Sequence, residues 1–409
     1  MNESSTANAL PLAHRTGNFV GSVIDSSTTL LAGRTHDIVK FAMGAPGEDL
    51  IPVEQLDEIS GRYSKGRFDY GETAGEPALI EQIVALTEAH GFPTADDRIV
   101  VTGGAMQGLD IACKLFVNPG DLVVVEGPTY TNANATALSY GARLLEAPTD
   151  EHGLVVDALP DLVRFAGATP KLIYCIPNFQ NPSGTTMPAH RRERLLELAE
   201  RWNAVIVDDD PYGVLRFEGE RQPTFHELSP NNPRIVSTRT FSKILAPGLR
   251  VGWLDVSPEI TPLIVAAKQA MDTCTSVPMQ HLVSDFMRAG YLDEHLGRVI
   301  PMYRERRDRM RAALADTFGN DAVATDPSGG FFLWLALKNQ LSQVDTEALV
   351  PDAIDAGVAY IPGPAFSTRG DFRNALRLCF ATNEPARIDE GVRRLSDVLY
   401  RAAGERGAA

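Results

Sequence analysis

The feature that most constrains the fold is a unit repeated between about Ile99 and Leu254: a short strand rich in valine and isoleucine, a polar or glycine-rich turn, and a helix-period segment. The sequence predicts the strands at 98–102, 121–126, 171–176, 204–209 and 234–238. Continuous apolar runs of this length are typical of strands covered on both faces, so we expect an α/β fold with a mainly parallel sheet and crossover helices. In such sheets, ligands bind beyond the carboxyl ends of the strands.

The pattern changes after about Asp285. A long charged helix is predicted at 303–318, and it is followed by apolar segments at 327–337, 357–367 and 374–381 that read as a few mixed strands. We therefore expect two domains, since 409 residues are too many for one hydrophobic core to organise. The predicted boundaries are an N-terminal arm at 1–37, a large domain at 38–285 and a smaller α/β domain at 286–409.

Charge and hydropathy exclude two classes of partner. The chain has 38 Lys and Arg against 53 Asp and Glu, a formal net charge of −15. This charge repels phosphate backbones and anionic lipids, and no basic run offsets it, so neither nucleic acid nor a membrane surface is an expected partner. The longest apolar stretch, Phe331 to Leu337, is too short to cross a bilayer. The sequence therefore predicts a cytoplasmic protein.

The four cysteines fit that prediction. Cys113, Cys175, Cys274 and Cys379 lie far apart, each within apolar sequence, so neither a CxxC zinc pair nor a compact disulfide framework is available. We expect buried, reduced thiols.

A glycine pair follows the first predicted strand, in the sequence Thr102-Gly103-Gly104-Ala105-Met106. Glycines between a strand and a helix allow backbone N–H groups to face an anion, and the helix dipole adds to the attraction, so a phosphate is the expected ligand. The same junction is also compatible with a simple tight turn. The GxGxxG and P-loop patterns are absent from the sequence, which argues against a dinucleotide or ATP site.

Three carboxylates, Asp208 to Asp210, follow the fourth strand. They repel one another beside an apolar run, so a cationic group is expected near them. A divalent metal would serve, but the eight histidines form neither HxH nor HExxH, and no metal site is predicted.

Lys243 follows the fifth strand and stands close to the hydroxyls of Thr240 and Ser242. The chain has seven lysines and thirty-one arginines, so a lysine in this apolar setting is unusual. A partly desolvated lysine loses its proton more readily and attacks carbonyls, while Arg250 can bind a phosphate with its guanidinium fork. A phosphate cradle, an amine, a carboxylate for a ring cation and an aromatic ring, Tyr130, at one sheet edge meet the requirements of pyridoxal phosphate.

Three motifs, TFSKILAPGLRVGW (240–253), PNFQNPSG (177–184) and DDDPYGVLRF (208–217), occur in an order and spacing that resemble fold-type I pyridoxal-phosphate enzymes of the class I/II aminotransferase family. The resemblance is nearest to the 2-aminoadipate and kynurenine aminotransferase branch, and it extends from about Ser22 to Val398. It implies aminotransferase fold type I, with a large cofactor-binding domain, a small domain and an N-terminal arm that covers the site.

The resemblance also implies roles for individual residues. Lys243 would form the internal aldimine and move the proton, and Asp209 would pair with the pyridine nitrogen. Tyr130 would stack on the ring, while Asn181 and Tyr212 would hydrogen-bond its phenolic oxygen. The implied phosphate ligands are Gly104, Ala105, Met106, Thr240, Ser242 and Arg250.

For the substrate, the resemblance implies that Arg377 binds the α-carboxylate, with Asn181 and Gly44 beside it. Tyr70 would reach the phosphate of the neighbouring subunit, which implies a homodimer with shared active sites.

The sequence departs from the family at three positions. Ala105-Met106 stands where relatives commonly carry Ser-Gln, and Thr240 where serine is frequent. Asp25, within the segment 22–34, stands near a position where relatives that use dicarboxylates place an arginine. Asp25 would repel a side-chain carboxylate and favour neutral or basic amino acids; alternatively, it only caps a helix.

The expected activity is transfer of the amino group of an L-amino acid to a 2-oxo acid with ping-pong kinetics. The cofactor-holding residues would equally serve an oxidase, a cyclase or a lyase, including a decarboxylase, of a biosynthetic pathway. A ligand-sensing, non-catalytic domain is a further alternative, although residues 1–37 are too few for the DNA-binding domain that such regulators carry. The sequence leaves open the substrate side chain, the amino acceptor and assembly beyond a dimer.

Overall fold

The structure is a computed structural model that describes residues 12–19, 21, 35–61 and 68–407. The helices are α1 Val53–Ser60, α2 Pro77–Ala89, α3 Ala105–Phe116, α4 Thr131–Ser139, α5 Leu159–Ala166, α6 Ala189–Trp202, α7 Phe225–Leu228, α8 Phe241–Ile244, α9 Thr261–Asp272, α10 Val277–Arg288, α11 Tyr291–Phe318, α12 Val350–Asp355 and α13 Pro385–Gly407. Short 3-10 turns lie at His14–Asn18, Glu48–Leu50, Asp96–Arg98, Val156–Ala158, Pro247–Leu249, Gly319–Asp321, Asn339–Leu341 and Gly363–Phe366.

The strands are β1 Val39–Lys40, β2 Ile99–Thr102, β3 Leu122–Gly127, β4 Arg143–Asp150, β5 Gly153–Leu154, β6 Pro170–Cys175, β7 Val205–Asp209, β8 Ile235–Thr240, β9 Gly252–Val256, β10 Ala322–Ala324, β11 Phe332–Leu337, β12 Val358–Ala359, β13 Ile361–Pro362 and β14 Ala375–Cys379. All five strands that the sequence predicts between 98 and 238 are present, with ends that shift by one or two residues.

The large sheet has the strand order β2-β9-β8-β7-β6-β3-β4-β5. The neighbours β8, β7, β6, β3 and β4 are parallel, which confirms the predicted mainly parallel sheet. Two strands run the other way, because β9 pairs antiparallel with both β2 and β8, and β5 with β4. The carboxyl ends of β2, β3, β6, β7 and β8 therefore meet at one edge, and every predicted catalytic turn follows one of them.

Burial explains why these strands are continuous apolar runs. Every residue of β2, β3, β7, β8 and β9 is buried. One apolar cluster contains Val100, Val123, Val207 and Val236, and another contains Val124, Ile173, Ile206 and Ile235. Alternate residues of each strand thus pack into different layers, as expected for a sheet that helices cover on both faces.

The C-terminal part builds a smaller sheet in the order β10-β11-β14-β13, with antiparallel pairing. It packs with α11, whose residues 303–318 were predicted to be helical and which begins earlier, at Tyr291. The strand β1 pairs in parallel with β12, so residues 39–40 lie beside the C-terminal part of the chain. The division into domains at about residue 285 stays a prediction.

Two further features concern membrane-spanning helices and the segment that is expected to cover the site. Within the described ranges, no helix is both long enough and apolar enough to span a bilayer. Asp25 and the segment 22–34, which are expected to cover the site, lie outside the described residues.

Candidate active site

A cavity of about 310 Å³ lies at the carboxyl edge of the large sheet. Its walls come from the turns after β2, β6, β7 and β8, from the start of α4, and from the small sheet. The lining residues are Gly44, Ala105, Met106, Leu109, Tyr130, Asn132, Ile176, Asn181, Asp209, Pro211, Tyr212, Thr240, Ser242, Lys243, Pro247, Arg250, Phe332 and Arg377. The structure thus brings together twelve of the fourteen residues predicted for the site.

Lys243 lies in the short helix α8, directly after β8. Its Nζ donates a hydrogen bond of 2.6 Å to the carbonyl oxygen of Gly44. The pKa of the amine is lowered to about 8, mainly by removal from water, and the nearby cations Arg377 and Arg250 contribute to this shift. A larger fraction of this amine is therefore neutral near pH 8 than of a solvated lysine, whose pKa is about 10.4.

Asp209 ends β7 and is 6% exposed. The pKa of its carboxyl is raised to about 7, mainly by burial, and the charges of Asp208 and Asp210 contribute to this shift. The hydroxyl of Tyr174 donates a 2.6 Å hydrogen bond to Oδ2, which opposes the shift. Oδ1 is buried and has no hydrogen-bond partner among the described residues.

Tyr130 and Tyr212 supply aromatic surface on two sides of the cavity. Asn132 donates from Nδ2 to the phenolic oxygen of Tyr130 at 3.1 Å. Tyr212 is buried, and its ring packs edge-on against Phe332 at 5.8 Å between centroids. Both rings therefore have fixed neighbours, so a planar ligand would meet walls already in place.

The opposite end of the cavity carries hydroxyls and a guanidinium. The Thr240 hydroxyl donates to Ser242 Oγ at 2.9 Å, and Arg250 Nη1 donates to the same oxygen at 3.2 Å. Arg250 Nη2 binds the carbonyl of Gly103 at 3.0 Å, and a Cβ on Gly104 would stand 2.5 Å from that nitrogen. Gly104 also has a φ of +94°, so only glycine allows Arg250 this position without strain.

Ala105 and Met106 line the cavity in the first turn of α3, where backbone N–H groups lack intrahelical partners. Hydroxyls, a guanidinium and these N–H groups are the donors that a phosphate requires.

Arg377 lies in β14 and is 1% exposed. Its guanidinium donates to Asn181 Oδ1 at 3.0 Å and to the carbonyl of Ala42 at 2.6 Å, and it lies 4.1 Å from the centroid of the Phe332 ring. Burial lowers its pKa to about 10, which leaves the group charged at neutral pH, and Nε is buried with no hydrogen-bond partner in the described part of the chain. A buried cation of this kind suits a carboxylate.

Two of the predicted residues do not line the cavity. Gly104 lies just behind it, against Arg250. Tyr70 is 84% exposed, and the cavity walls do not include it.

Three residues that were not predicted from the sequence contact predicted site residues: Tyr174, Asn132 and Phe332. Tyr174 lies inside the apolar strand β6 and has the pattern of a core residue. The available signal in the sequence was the hydroxyl of Tyr174, because it lies in a strand whose neighbour in the sheet, β7, ends in carboxylates.

Pyridoxal phosphate fits this set of side chains. The unpartnered Asp209 Oδ1 suits a pyridinium N–H, the amine of Lys243 suits a carbonyl, and the cradle that a Cβ at Gly104 would fill suits a phosphate. Across the described residues, no group of three or more His, Cys, Asp and Glu side chains could hold a metal ion.

Comparisons with known proteins give the same picture. A family model described as aminotransferase class I and II matches residues 36–395. Aromatic-amino-acid aminotransferase 1 of Thermococcus litoralis is 36% identical over 373 residues, which cover 89% of this chain and 88% of the relative. The 2-aminoadipate transaminase of Thermus thermophilus is 35% identical over 366 residues, covering 88% and 90%.

Among solved structures, the kynurenine aminotransferase of Pyrococcus horikoshii, crystallised in complex with PMP, superposes with a TM-score of 0.87. Its sequence is 34% identical, and the match covers 96% of this chain and 97% of that one.

Proposed function

This chain belongs to the class I and II aminotransferase family, and we propose that the cavity around Lys243 is the site of its transaminase reaction. The chain is a pyridoxal-phosphate-dependent aminotransferase of fold type I. The proposal concerns which residues perform the reaction, and how copies of the chain cooperate in it.

The observation that carries the proposal is the position of three groups around one cavity. Lys243 offers an amine with a pKa of about 8, Asp209 a buried carboxylate and Arg377 a buried guanidinium. Burying each of these groups is unfavourable unless a ligand group of complementary charge or polarity binds to it. A ring cation, a carbonyl carbon and an α-carboxylate are the matching partners, and transamination of an amino acid requires all three.

Bound pyridoxal phosphate supplies an electron sink and a carbonyl that holds the amino group between the two halves of the reaction. Lys243 would hold it covalently, and Asp209 would keep a proton on its ring nitrogen. Thr240, Ser242 and Arg250 would bind its phosphate, with the N-terminal turn of α3.

The residues of the chain then have separate tasks. Arg377 binds the substrate α-carboxylate with its planar fork and so fixes the substrate in front of Lys243. The amine of Lys243, partly neutral near pH 8, would accept the proton from the α-carbon and pass it to the cofactor. Asn181 and Tyr212 orient the ring oxygen, and Tyr130 covers the ring face. Amino acid and oxo acid use the same carboxylate clamp in turn, which gives ping-pong kinetics.

We also propose a homodimer with shared sites. Tyr70 is 84% and Phe68 74% exposed, although both are large and aromatic, and such side chains commonly mark an interface. In the dimer, Tyr70 would reach the phosphate bound by the neighbouring copy. The cytoplasmic location stays a prediction from the sequence.

The test is a half-reaction with single amino acids. The cofactor-loaded protein is mixed with one donor at a time, and the 2-oxo acid is quantified by mass spectrometry. The names of the relatives give the first donors to try: aromatic amino acids, 2-aminoadipate and kynurenine. We expect one equivalent of 2-oxo acid per site in the absence of an acceptor, and none from Lys243→Ala. Loss of carbon dioxide or of the side chain, without an oxo acid, would contradict transamination and favour the lyase alternative.

A further inference from the structure

Three turns carry the groups proposed to hold the cofactor ring: the turn after β6 with Asn181, the turn after β7 with Asp209 and Tyr212, and the turn after β8 with Lys243. Behind the cavity, one buried cluster joins all three turns. It consists of Asp210, Arg239 and Asn178, which we call the Asp210 cluster.

Asp210 and Asn178 lie in the turns after β7 and β6, whereas Arg239 lies in β8 itself, and each member adjoins a site residue in the chain. Asp210 follows Asp209 directly, Asn178 precedes Asn181 by three residues, and Arg239 precedes Lys243 by four. The exposed fractions of Asp210, Arg239 and Asn178 are 5%, 5% and 7%. None of the three lines the cavity.

The contacts converge on the carboxylate of Asp210. Its Oδ2 accepts from Arg239 Nη1 at 2.6 Å and from Asn178 Nδ2 at 3.0 Å. Its Oδ1 accepts from the backbone N–H of Gly213 at 2.8 Å, which closes the turn that contains Tyr212. The guanidinium of Arg239 also lies 4.8 Å from the centroid of the Phe92 ring, which fixes its plane. A charge-assisted bond of 2.6 Å between buried groups is strong and tolerates little displacement.

A further buried arginine, Arg192, contacts the Asp210 cluster through Asn178. Arg192 is 1% exposed and donates to Asn178 Oδ1 at 2.8 Å and to the carbonyl of Pro177 at 3.0 Å. The amide of Asn178 is therefore held at both ends, by Arg192 and by Asp210. These contacts connect the turn that carries Asn181 to the turn after β7.

Charge also distinguishes the three successive aspartates. Asp210 is paired with Arg239, and Asp208 accepts a 2.7 Å hydrogen bond from the hydroxyl of Ser237. Asp208 Oδ1 and Asp209 Oδ1 are both buried without a hydrogen-bond partner among the described residues, but of the three aspartates only Asp209 lines the cavity. The pairing of Asp210 therefore leaves Asp209 as the carboxylate available to a ligand.

We propose that Asp210 and Arg239 are positioning residues of the transaminase site, which hold the Asn181, Asp209–Tyr212 and Lys243 turns in register for the cofactor ring. This inference rests on the proposed function only because it takes pyridoxal phosphate to be the ligand. Arg377 contacts the Asn181 turn, but it is also held by the carbonyl of Ala42 and the ring of Phe332, which do not depend on the cluster, so we expect substrate binding at Arg377 to change little when Asp210 or Arg239 is replaced.

The alternative is that the ion pair of Asp210 and Arg239 contributes only to the stability of the fold. Removing one partner of a buried ion pair is destabilising in general, because the other charge is left buried and unpaired. The chain offers a matched control, because Arg98 pairs with Asp255 at 2.9 Å and both are buried to a similar degree. Arg98 directly precedes β2, whereas the cavity lies beyond the carboxyl end of this strand.

The experiment compares Arg239→Met with Arg98→Met in the cofactor-loaded protein. It measures the dissociation constant of pyridoxal phosphate by equilibrium dialysis, then kcat and KM for an amino acid donor, and finally Tm. We expect Arg239→Met to raise the cofactor dissociation constant and lower kcat by at least about tenfold each, with KM within about threefold of the wild type. Arg98→Met should lower Tm but leave the dissociation constant and kcat within about twofold.

Equal changes of the dissociation constant and kcat in the two variants would overturn the proposal and leave the pair a structural one. Where Arg239→Met fails to fold, Arg239→Lys replaces it, since it keeps the charge but loses the planar fork. It should then weaken cofactor binding by at least about threefold, and an unchanged dissociation constant would equally overturn the proposal. A wild type without transaminase activity would refute the proposed function, whereas the dialysis comparison would still test the Asp210 cluster.

Discussion

At the residue scale, the site holds ionisable groups whose protonation depends on their neighbours. Lys243 and Asp209 are both removed from water, which moves the pKa of the amine down to about 8 and that of the carboxyl up to about 7. Each group favours the charged form of the other. The pair is therefore poised to change protonation near neutral pH, where a proton must move between substrate and enzyme.

The first prediction concerns the amine of Lys243 in cofactor-free protein. Its acylation by a small reagent, followed by peptide mass spectrometry over a pH series, should show a midpoint near pH 8 because burial penalises the charged amine. Asp209→Asn removes a charge that favours the protonated amine, so it should move the midpoint to lower pH. A midpoint near 10.4, the value of a solvated lysine, would contradict the account.

The second prediction concerns Tyr174, which hydrogen-bonds the carboxylate of Asp209. The folded pKa of Asp209, about 7, lies above that of an unfolded aspartate. Folding stability is therefore lost as the pH rises from about 4 to 7, and the Tyr174 hydroxyl limits that loss. Tyr174→Phe should lower the free energy of unfolding by about 1–3 kcal/mol at pH 8.5, where Asp209 is charged, and by less at pH 5.5.

Tyr360→Phe is the control for this measurement. Tyr360 is equally buried, but its hydroxyl donates to the carbonyl of Thr346 at 2.7 Å, which does not titrate. Its removal should cost the same at both pH values in denaturant titrations of cofactor-free protein. If the Tyr174→Phe loss were also independent of pH, the link between Tyr174 and the charge of Asp209 would be refuted.

At the scale of elements, the site is a property of strand ends. Parallel strands that end at one edge bring together turns that are distant in sequence, so Asn181, Asp209 and Lys243 meet although 62 residues separate the first from the last. The small sheet contributes Phe332 and Arg377 from β11 and β14, which are paired neighbours. The proposed substrate clamp and the proposed cofactor cradle thus belong to different sheets.

The third prediction concerns the junction of β2 and α3. Gly104→Ala places a methyl group 2.5 Å from Arg250 Nη2 and imposes strain at a φ of +94°. Arg250 must then move away from Ser242, so the affinity for pyridoxal phosphate should fall at least about tenfold, whereas that for pyridoxal, which lacks the phosphate, should change little.

Gly120→Ala is the matched control, because Gly120 has a φ of +91° but nothing within 4 Å of the added carbon. Because its φ is also positive, it should lower stability by about 1–2 kcal/mol, without an effect on either ligand. Fluorescence titration of both proteins with both ligands measures the difference. A parallel loss of pyridoxal and pyridoxal phosphate affinity in Gly104→Ala would contradict a role in phosphate binding.

The sequence predicted most of this edge, because buried parallel strands are unbroken apolar runs and the polar residues after them stand out. It could not predict the insertion of β9, an antiparallel strand, between β2 and β8, since apolar composition carries no direction. Tyr174 and Arg239 escaped notice for a related reason. Both lie within strands, and their partners, 35 and 29 residues away, become visible only when strand order is known.

At the scale of the whole molecule, the role that we propose for Tyr70 involves two copies of the chain. Tyr70 does not line the cavity and is 84% exposed, which supports a role in the site of a neighbouring copy. The cavity itself, by contrast, is assembled from the two ends of the described chain, since Gly44 and Arg377 are separated by 333 residues.

The fourth prediction is complementation between inactive copies. Tyr70→Ala should weaken cofactor binding, and Lys243→Ala should abolish turnover. A mixed dimer of the two variants, purified through two different affinity tags, contains one site with both native residues and should recover about half of the wild-type activity. A mixture of the two separate homodimers is the control. A mixed dimer no more active than Tyr70→Ala alone would show that Tyr70 does not act across the interface.

The most direct test of the central claim is to locate the cofactor on the chain. The loaded protein is reduced with borohydride, digested, and its peptides are sequenced by mass spectrometry; Lys268, a fully buried lysine that does not line the cavity, serves as an internal reference. We predict one modified residue, Lys243, and no modification at Lys268. A cofactor fixed at any other lysine, or no fixed cofactor in protein that converts amino acids, would contradict the account.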